Sequence, residues 1–351
     1  LLQDLGTERP FSNSAFRVNA LISRRNFLTT SCASVGLAAV GSSSSLAATP
    51  GEPLAMPRRP LGRTGWLTSI VGFGGGSRFL AQSDMEVVER MIHRAIELGI
   101  NYFDTAFTYL DQNKERESYR RYSRFLVPRY RKQIILVSKL MERDAESAKR
   151  SLEITLKELG TDCLDLLHFH ALSKKEEVDR IVAPDGALKV YRQWKEQGVI
   201  KAIGITGHSS ADVLLDAIER IEPDCMMCPL NPAHSGQFVG TDFARLIPVA
   251  LRRGMGLLAM KTTGRTTLIG RNGVTPEELV RYALNLPVAA AVIGMPDVAV
   301  IESCAALARS LQPMPEMERK GLEQKLASAA RHHSLPYLAA GYTDGDCPHL
   351  G

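Results

Sequence analysis

The sequence predicts an α/β protein built as a closed parallel (β/α)8 TIM barrel, and three observations lead there. Strand-like apolar runs end at Gly74, Asp104, Lys139, His170, Thr206, Asn231, Met260 and Gly294, eight ends at intervals of roughly 25–36 residues. Between them apolar residues recur at three- and four-residue spacing, the period of an amphipathic helix. Gly99, Gly160, Gly198 and Gly254 stand where such helices turn back into strands, relieving the left-handed backbone of a helix end. An open doubly wound sheet is the competing arrangement. Against it, no G-x-G-x-x-G opens a helix, and the glycines of 72–76 lack that spacing.

Taken in order, residues 1–48 read as a leader rather than fold. Ser23-Arg24-Arg25-Asn26-Phe27-Leu28 is a twin-arginine pattern, residues 28–41 are uncharged, and Ser45-Leu46-Ala47-Ala48 forms a small-residue cleavage site. The expectation is a twin-arginine signal peptide that engages the export machinery through residues 23–28 and delivers the folded chain to the periplasm. Residues 49–312 then form the barrel, and 313–351 form a helix and tail belonging to the same domain.

Turn glycines between short runs in 59–68 predict a hairpin. Helices are expected over 84–98, 145–159, 187–197, 211–221, 244–253 and 276–284, and a last one over 316–333.

Composition narrows the function classes. The chain has 351 residues, 44% apolar and 23% charged, with a net charge of +5. Arg9, Arg17, Arg24 and Arg25 against Asp4 and Glu8 leave the remainder near +3, with basic and acidic residues interspersed. That is too weak a bias for nucleic acid. No apolar run reaches the roughly 18–20 residues of a membrane span. Beyond Cys32 of the leader, Cys163, Cys225, Cys228, Cys304 and Cys347 are an odd set, which excludes a complete disulfide framework. Cys225 and Cys228 have redox or zinc spacing but lie in an apolar run, so core cysteines are expected.

Four strand-end residues carry the chemistry: Asp104 and Tyr109 in NYFDTAFTY, Lys139 in IILVSKL and His170 in LDLLHFHAL. An acid, a phenol, an amine and an imidazole are the parts needed to hand a proton to a carbonyl oxygen. A free phenol is a weak acid; a nearby ammonium stabilises its anion, and a carboxylate holds that ammonium charged. A neutral imidazole donates a hydrogen bond to the same oxygen. Each residue alone has a plainer reading: Asp104 as a helix cap, Tyr109 as a loop aromatic, Lys139 as a solvated charge, His170 as a core histidine. His168 is assigned to packing. As a metal pair, His168 and His170 would instead point to a barrel hydrolase, but Lys139, Thr206, Asn231 and Gly294 are poor ligands.

LGRTGWLTSIVGFGGG, ELGINYFDTAFTY, SLEITLKELGTDCLDLLHFHAL, GVIKAIGITGHS and GLLAMKTTG together resemble the aldo/keto reductase family, in its order and at its distances. The resemblance covers about residues 58–305. It implies a barrel whose floor an N-terminal hairpin closes, a nicotinamide cofactor (NADP(H) ahead of NAD(H)) and a small carbonyl substrate reduced to an alcohol. No metal or iron–sulfur cluster is expected, since Cys347 alone cannot hold one.

By the same resemblance Tyr109 is the acid, Lys139 and Asp104 tune it, and His170 orients the carbonyl. Gly74, Gly75, Thr206, Gly207, Asn231, Met260, Lys261 and Gly294 are the residues implied to line the cofactor. Gly207 and Met227 replace amide side chains of the family, and no Lys or Arg closely follows Gly294-Met295-Pro296-Asp297 to clamp a 2′-phosphate. The alternative these departures leave is a barrel that binds cofactor or a partner without turnover.

Overall fold

Alternation of inward and outward side chains along eight parallel strands governs this structure. The computed structural model describes residues 55–234, 242–331, 335–339 and 342; the twin-arginine pattern, the cleavage site expected after it and Cys347 lie outside them. A hairpin comes first, β1 (Arg58–Pro60) and β2 (Leu67–Ser69) pairing antiparallel. There follow β3 (Val71–Gly74), β4 (Tyr102–Asp104), β5 (Ile135–Leu140), β6 (Leu164–Phe169), β7 (Ile200–Thr206), β8 (Cys225–Pro229), β9 (Gly256–Met260) and β10 (Ala290–Gly294). These eight close into a barrel in chain order, with β10 returning to pair with β3.

The barrel interior is filled by residues such as Tyr102, Ile135, Val137, Leu166, Cys225, Met227, Leu258 and Val292. Outward residues such as Phe103, Leu136, Leu167 and Met226 pack under the helices. Because side chains alternate, Cys225 faces inward and Cys228 outward, so the pair cannot share a metal or a disulfide. Both are fully buried, which pushes their thiols far up, and burial of Cys304 pushes its thiol up to about 12. These are core cysteines, as expected.

Leu61, at the tip of the hairpin, is fully buried and joins the interior cluster. It plugs the amino-terminal floor. Gly256 makes room for it, since a Cβ there would lie 2.8 Å from Leu61 Cδ1. Burying such a leucine contributes about 1.5–3 kcal/mol.

Helix Met85–Glu97 shows why the outer ring forms. Val88, Met91, Ile92 and Ala95 make one buried stripe, and the Asp84 carboxylate accepts the Glu86 and Val87 N–H groups at its start. Helices Ala145–Leu159, Ala187–Gln197, Ala211–Ile221 and Pro276–Leu284 match their expected bounds. The helix expected over 244–253 instead begins as a 3-10 turn, Phe243–Arg245, and continues as Leu246–Arg252. Pro248 has no N–H to bond the Ala244 carbonyl, so the first turn tightens. The last helix is Glu316–Arg331; the two histidines expected to end it lie outside the described residues. Among the described residues no helix is long and apolar enough to cross a membrane.

Candidate active site at the carboxyl rim

Register sets Asp104, Lys139 and the end of β6 on one rim; Tyr109, expected at a strand end, instead reaches it from the loop five residues beyond β4. Gly74 lies level with Asp104 on β4 and with Gly294 on β10, while Lys139 on β5 lies level with His168 on β6. Ile135, Val137 and Lys139 are successive inward positions, so the lysine follows two apolar residues into the barrel mouth. Asp104, Lys139 and His170 are buried and Tyr109 half-buried.

The Lys139 ammonium makes three bonds at once: to Asp104 Oδ2 at 2.6 Å, to the Thr105 carbonyl at 2.8 Å and to Tyr109 Oη at 3.1 Å. An ammonium has three hydrogens and no acceptor, so all three are used. Tyr109 Oη accepts in this contact, and the phenol hydrogen cannot lie along the same line. The Tyr109 and His170 rings meet edge to face, centroids 6.0 Å apart at 76°. Thr108 Oγ1 lies 3.4 Å from His170 Nδ1. With the hydroxyl donating, Nδ1 is the acceptor and the ring hydrogen sits on Nε2.

His168 faces the same interior one step below His170. Strand β7 accommodates its ring only because residue 204 is glycine: a Cβ there would lie 2.2 Å from His168 Nδ1. Burial, then the charges of Lys139 and His170, push its pKa well below the ordinary histidine value. It is a neutral packing residue, as expected from the sequence. Among the described residues no group of three or more His, Cys, Asp or Glu is placed to hold a metal.

The eight residues implied to line a cofactor divide. Gly74, Gly75 and Gly207 serve close backbone approach: a Cβ would lie 2.7 Å from the Ile293 carbonyl oxygen, 2.5 Å from that of Asp104 and 2.7 Å from that of Leu172, respectively. Thr206 Oγ1 accepts the Ala171 N–H at 2.8 Å. Met260 closes the top of the interior cluster. Asn231 is engaged by the protein itself, with Nδ2 donating to the Lys261 carbonyl at 2.9 Å and to Tyr337 Oη at 3.0 Å, and Oδ1 accepting the Ala233 N–H at 3.1 Å.

Three cations border the rim near β9 and β10. The stem of Arg78 packs against Gly294, where a Cβ would lie 3.0 Å from its Cβ, and its guanidinium bonds Thr266 Oγ1 at 2.7 Å. Lys261 and Arg265 lie over the Tyr342 ring, 5.2 and 5.1 Å from its centroid. Sequence reasoning missed Arg78, Thr108, Tyr337 and Tyr342. Thr108 was visible in FDTAFTY as a hydroxyl beside the tyrosine; the tail tyrosines carried no signal, since only folding brings them to the rim.

Fold and rim define a parallel-barrel protein with a buried carboxylate–ammonium pair that bonds a half-buried phenol beside an imidazole. The profile of the aldo/keto reductase family matches residues 71–294, and the chain belongs to that family. It is similar to L-galactose dehydrogenase of Arabidopsis thaliana, 29% identical over 210 residues that make up 57% of this chain and 63% of that protein. It is also similar to an aldo-keto reductase of Schizosaccharomyces pombe named for NADP(+), 26% identical over 164 residues, 44% of this chain and 46% of that one. The chain thus spans between 46% and 63% of the length of these two curated relatives. The holo form of an aldo-keto reductase from Bacillus halodurans shares the fold, with a TM-score of 0.62, 22% identity and coverage of 78% of this chain and 97% of that one.

Proposed function

We propose that this protein is an NAD(P)H-dependent oxidoreductase that reduces an aldehyde or ketone to an alcohol. One observation carries the reading: a buried lysine that bonds a carboxylate and a tyrosine hydroxyl at the same time. That arrangement tunes a phenol for proton transfer, and it has no use in a passive barrel.

When bound, the nicotinamide supplies the hydride. The chain's own residues manage charge and geometry. Tyr109 gives its proton to the carbonyl oxygen as negative charge develops there, and the Lys139 ammonium stabilises the phenolate left behind. Asp104 keeps that ammonium charged and in place. His170 donates from Nε2 to the same oxygen, a role that requires the tautomer in which Nδ1 accepts from Thr108.

The donor set suits a dinucleotide. Arg78, Lys261 and Arg265 offer positive charge to a diphosphate, and Thr206 meets the turn that follows His170. Arg78 supports NADP(H) ahead of NAD(H), because it supplies beside Gly294 a charge that the residues after β10 lack. The similarity to a relative named for NADP(+) points the same way. The twin-arginine pattern of residues 23–28 supports export of the folded chain to the periplasm.

Replacement of Tyr109 by Phe tests the central assignment. Tyr109→Phe is expected to bind cofactor like wild type, read by nicotinamide fluorescence, and to lose at least about a hundredfold in carbonyl reduction. Comparable turnover by the two proteins removes Tyr109 as the acid.

A further inference from the structure

We propose that Arg143 is a positioning residue that aims His170 by clamping a strained backbone turn at Ala171; the proposal rests on the reading of His170 above. Strand β6 ends just before His170, and Ala171 then takes φ +52°, a left-handed conformation that residues with a Cβ seldom adopt. Such a residue persists only where its surroundings over-determine it. Here they do. The His170 carbonyl accepts a hydrogen bond from Arg143 Nη2 at 2.6 Å. On the other side Thr206 accepts twice, its Oγ1 from the Ala171 N–H at 2.8 Å and its carbonyl from the Leu172 N–H at 2.7 Å.

Arg143 is itself fixed. Its Nε and Nη2 reach Glu177 Oε1 at 3.3 and 2.9 Å, and its side chain is 11% exposed. The other oxygen of Glu177 accepts from the Ser173 N–H at 2.7 Å, the Ser173 hydroxyl at 2.9 Å and the Lys174 N–H at 2.9 Å. Burial alone would raise the Glu177 carboxyl; Arg143 and the Ser173 and Lys174 N–H groups hold it below its ordinary value. Glu177 thus secures the start of helix Lys175–Val182 through its other oxygen, while Arg143 joins that carboxylate to the His170 carbonyl. A planar guanidinium suits that task, because one face of its fork serves the carboxylate while the same Nη2 reaches the carbonyl.

The consequence falls on the imidazole. His170 Nδ1 stands 3.4 Å from Thr108, a distance with little tolerance before the contact is lost. Release of the clamp lets Ala171 relax towards ordinary φ, which swings the ring away from both Thr108 and the carbonyl it serves.

The test compares Arg143→Met, Arg143→Lys and the double variant Arg143→Met with Ala171→Gly. Three quantities are read: kcat, cofactor affinity by fluorescence, and the His170 ring tautomer by long-range proton–nitrogen NMR. Arg143→Met is expected to lower kcat roughly 10- to 100-fold, the scale of an ångström-level misplacement, while leaving cofactor affinity near wild type. Its His170 signals should move off the Nε2–H pattern. Adding Ala171→Gly, which accepts the left-handed turn without strain, should recover part of the kcat and of the NMR pattern. Arg143→Lys should fall between, and it carries the comparison should the methionine variant not fold. A kcat within about twofold of wild type overturns the proposal, as does a loss that leaves the His170 signals unmoved. The NMR readout needs no turnover, so an inactive wild-type protein would sink the reductase reading while the His170 signals still decide whether Arg143 aims the ring.

Discussion

A neutral imidazole sealed under a charged lysine makes the stability of this barrel depend on pH, and the size of the effect follows from linkage. His168 is fully buried, and burial, Lys139 and His170 all oppose its protonation, so its folded pKa lies well below the ordinary value. In the unfolded chain the same ring titrates near 6.5. The sign follows directly. Below that pH the unfolded chain binds a proton that the folded chain refuses, so the contribution is complete above about pH 6.5 and is lost as pH falls towards the folded pKa. The slope approaches 1.36 kcal/mol per pH unit, which gives a loss of about 2 kcal/mol between pH 7 and pH 5. His168→Met removes the titrating group and fills the space beside Gly204 with a flexible apolar chain. Urea unfolding followed by circular dichroism at pH 7, 6 and 5 measures both proteins. The variant should lose about 2 kcal/mol less than wild type over that range, because the remaining histidines cancel in the difference. Glu177, whose pKa is lowered, lends its stability above its unfolded value and withdraws it only at more acidic pH, outside this window. Identical pH dependence in the two proteins refutes the buried-neutral assignment.

Removing the lysine of the tetrad should cost stability as well as activity. Lys139→Met leaves Asp104, with 4% of its side chain exposed, without its 2.6 Å partner, and an uncompensated buried carboxylate costs about 3–5 kcal/mol. Adding Asp104→Asn should restore most of the unfolding free energy and none of the turnover; a single variant as stable as wild type in urea would count against the buried pair. For export, Arg24→Lys with Arg25→Lys is expected to retain the protein in the cytoplasm, and fractionation that still finds it in the periplasm disposes of the leader assignment.

Much of the rim was legible because strands alternate and strand ends recur. A lysine two residues beyond Val137 on a buried strand has to face the interior, and βα repeats of similar length bring Asp104, Lys139 and His170 to one mouth. Val88, Met91, Ile92 and Ala95 announced their helix through spacing alone. The charged stretch ahead of Tyr122 was harder. It holds helix Glu117–Arg121, and a π turn over Tyr122–Leu126 follows, just before Pro128, which cannot donate to the ladder. Ala171 carried no sign of its left-handed backbone either, since glycine or asparagine is the residue that usually marks such a turn.

The charges around the rim are harder to see from the chain alone. The residues after β10 offer no close cation, yet Arg78 arrives at Gly294 from the short helix Ser77–Leu80 that follows β3 and meets Thr266, 188 positions away. Asn231, implied to line a cofactor, also meets Tyr337, 106 positions further on, whose hydroxyl accepts from its amide.

Periodicity and intervals are local properties, and they were enough for the order of elements, the closed barrel and the rim on which chemistry would sit. Which side chains touch there is a different kind of fact. It depends on strand register, on where a closed sheet brings its first and last strands together, and on a tail that returns to the mouth from outside the repeat. Those contacts join residues tens to hundreds of positions apart, and no window of sequence contains both partners.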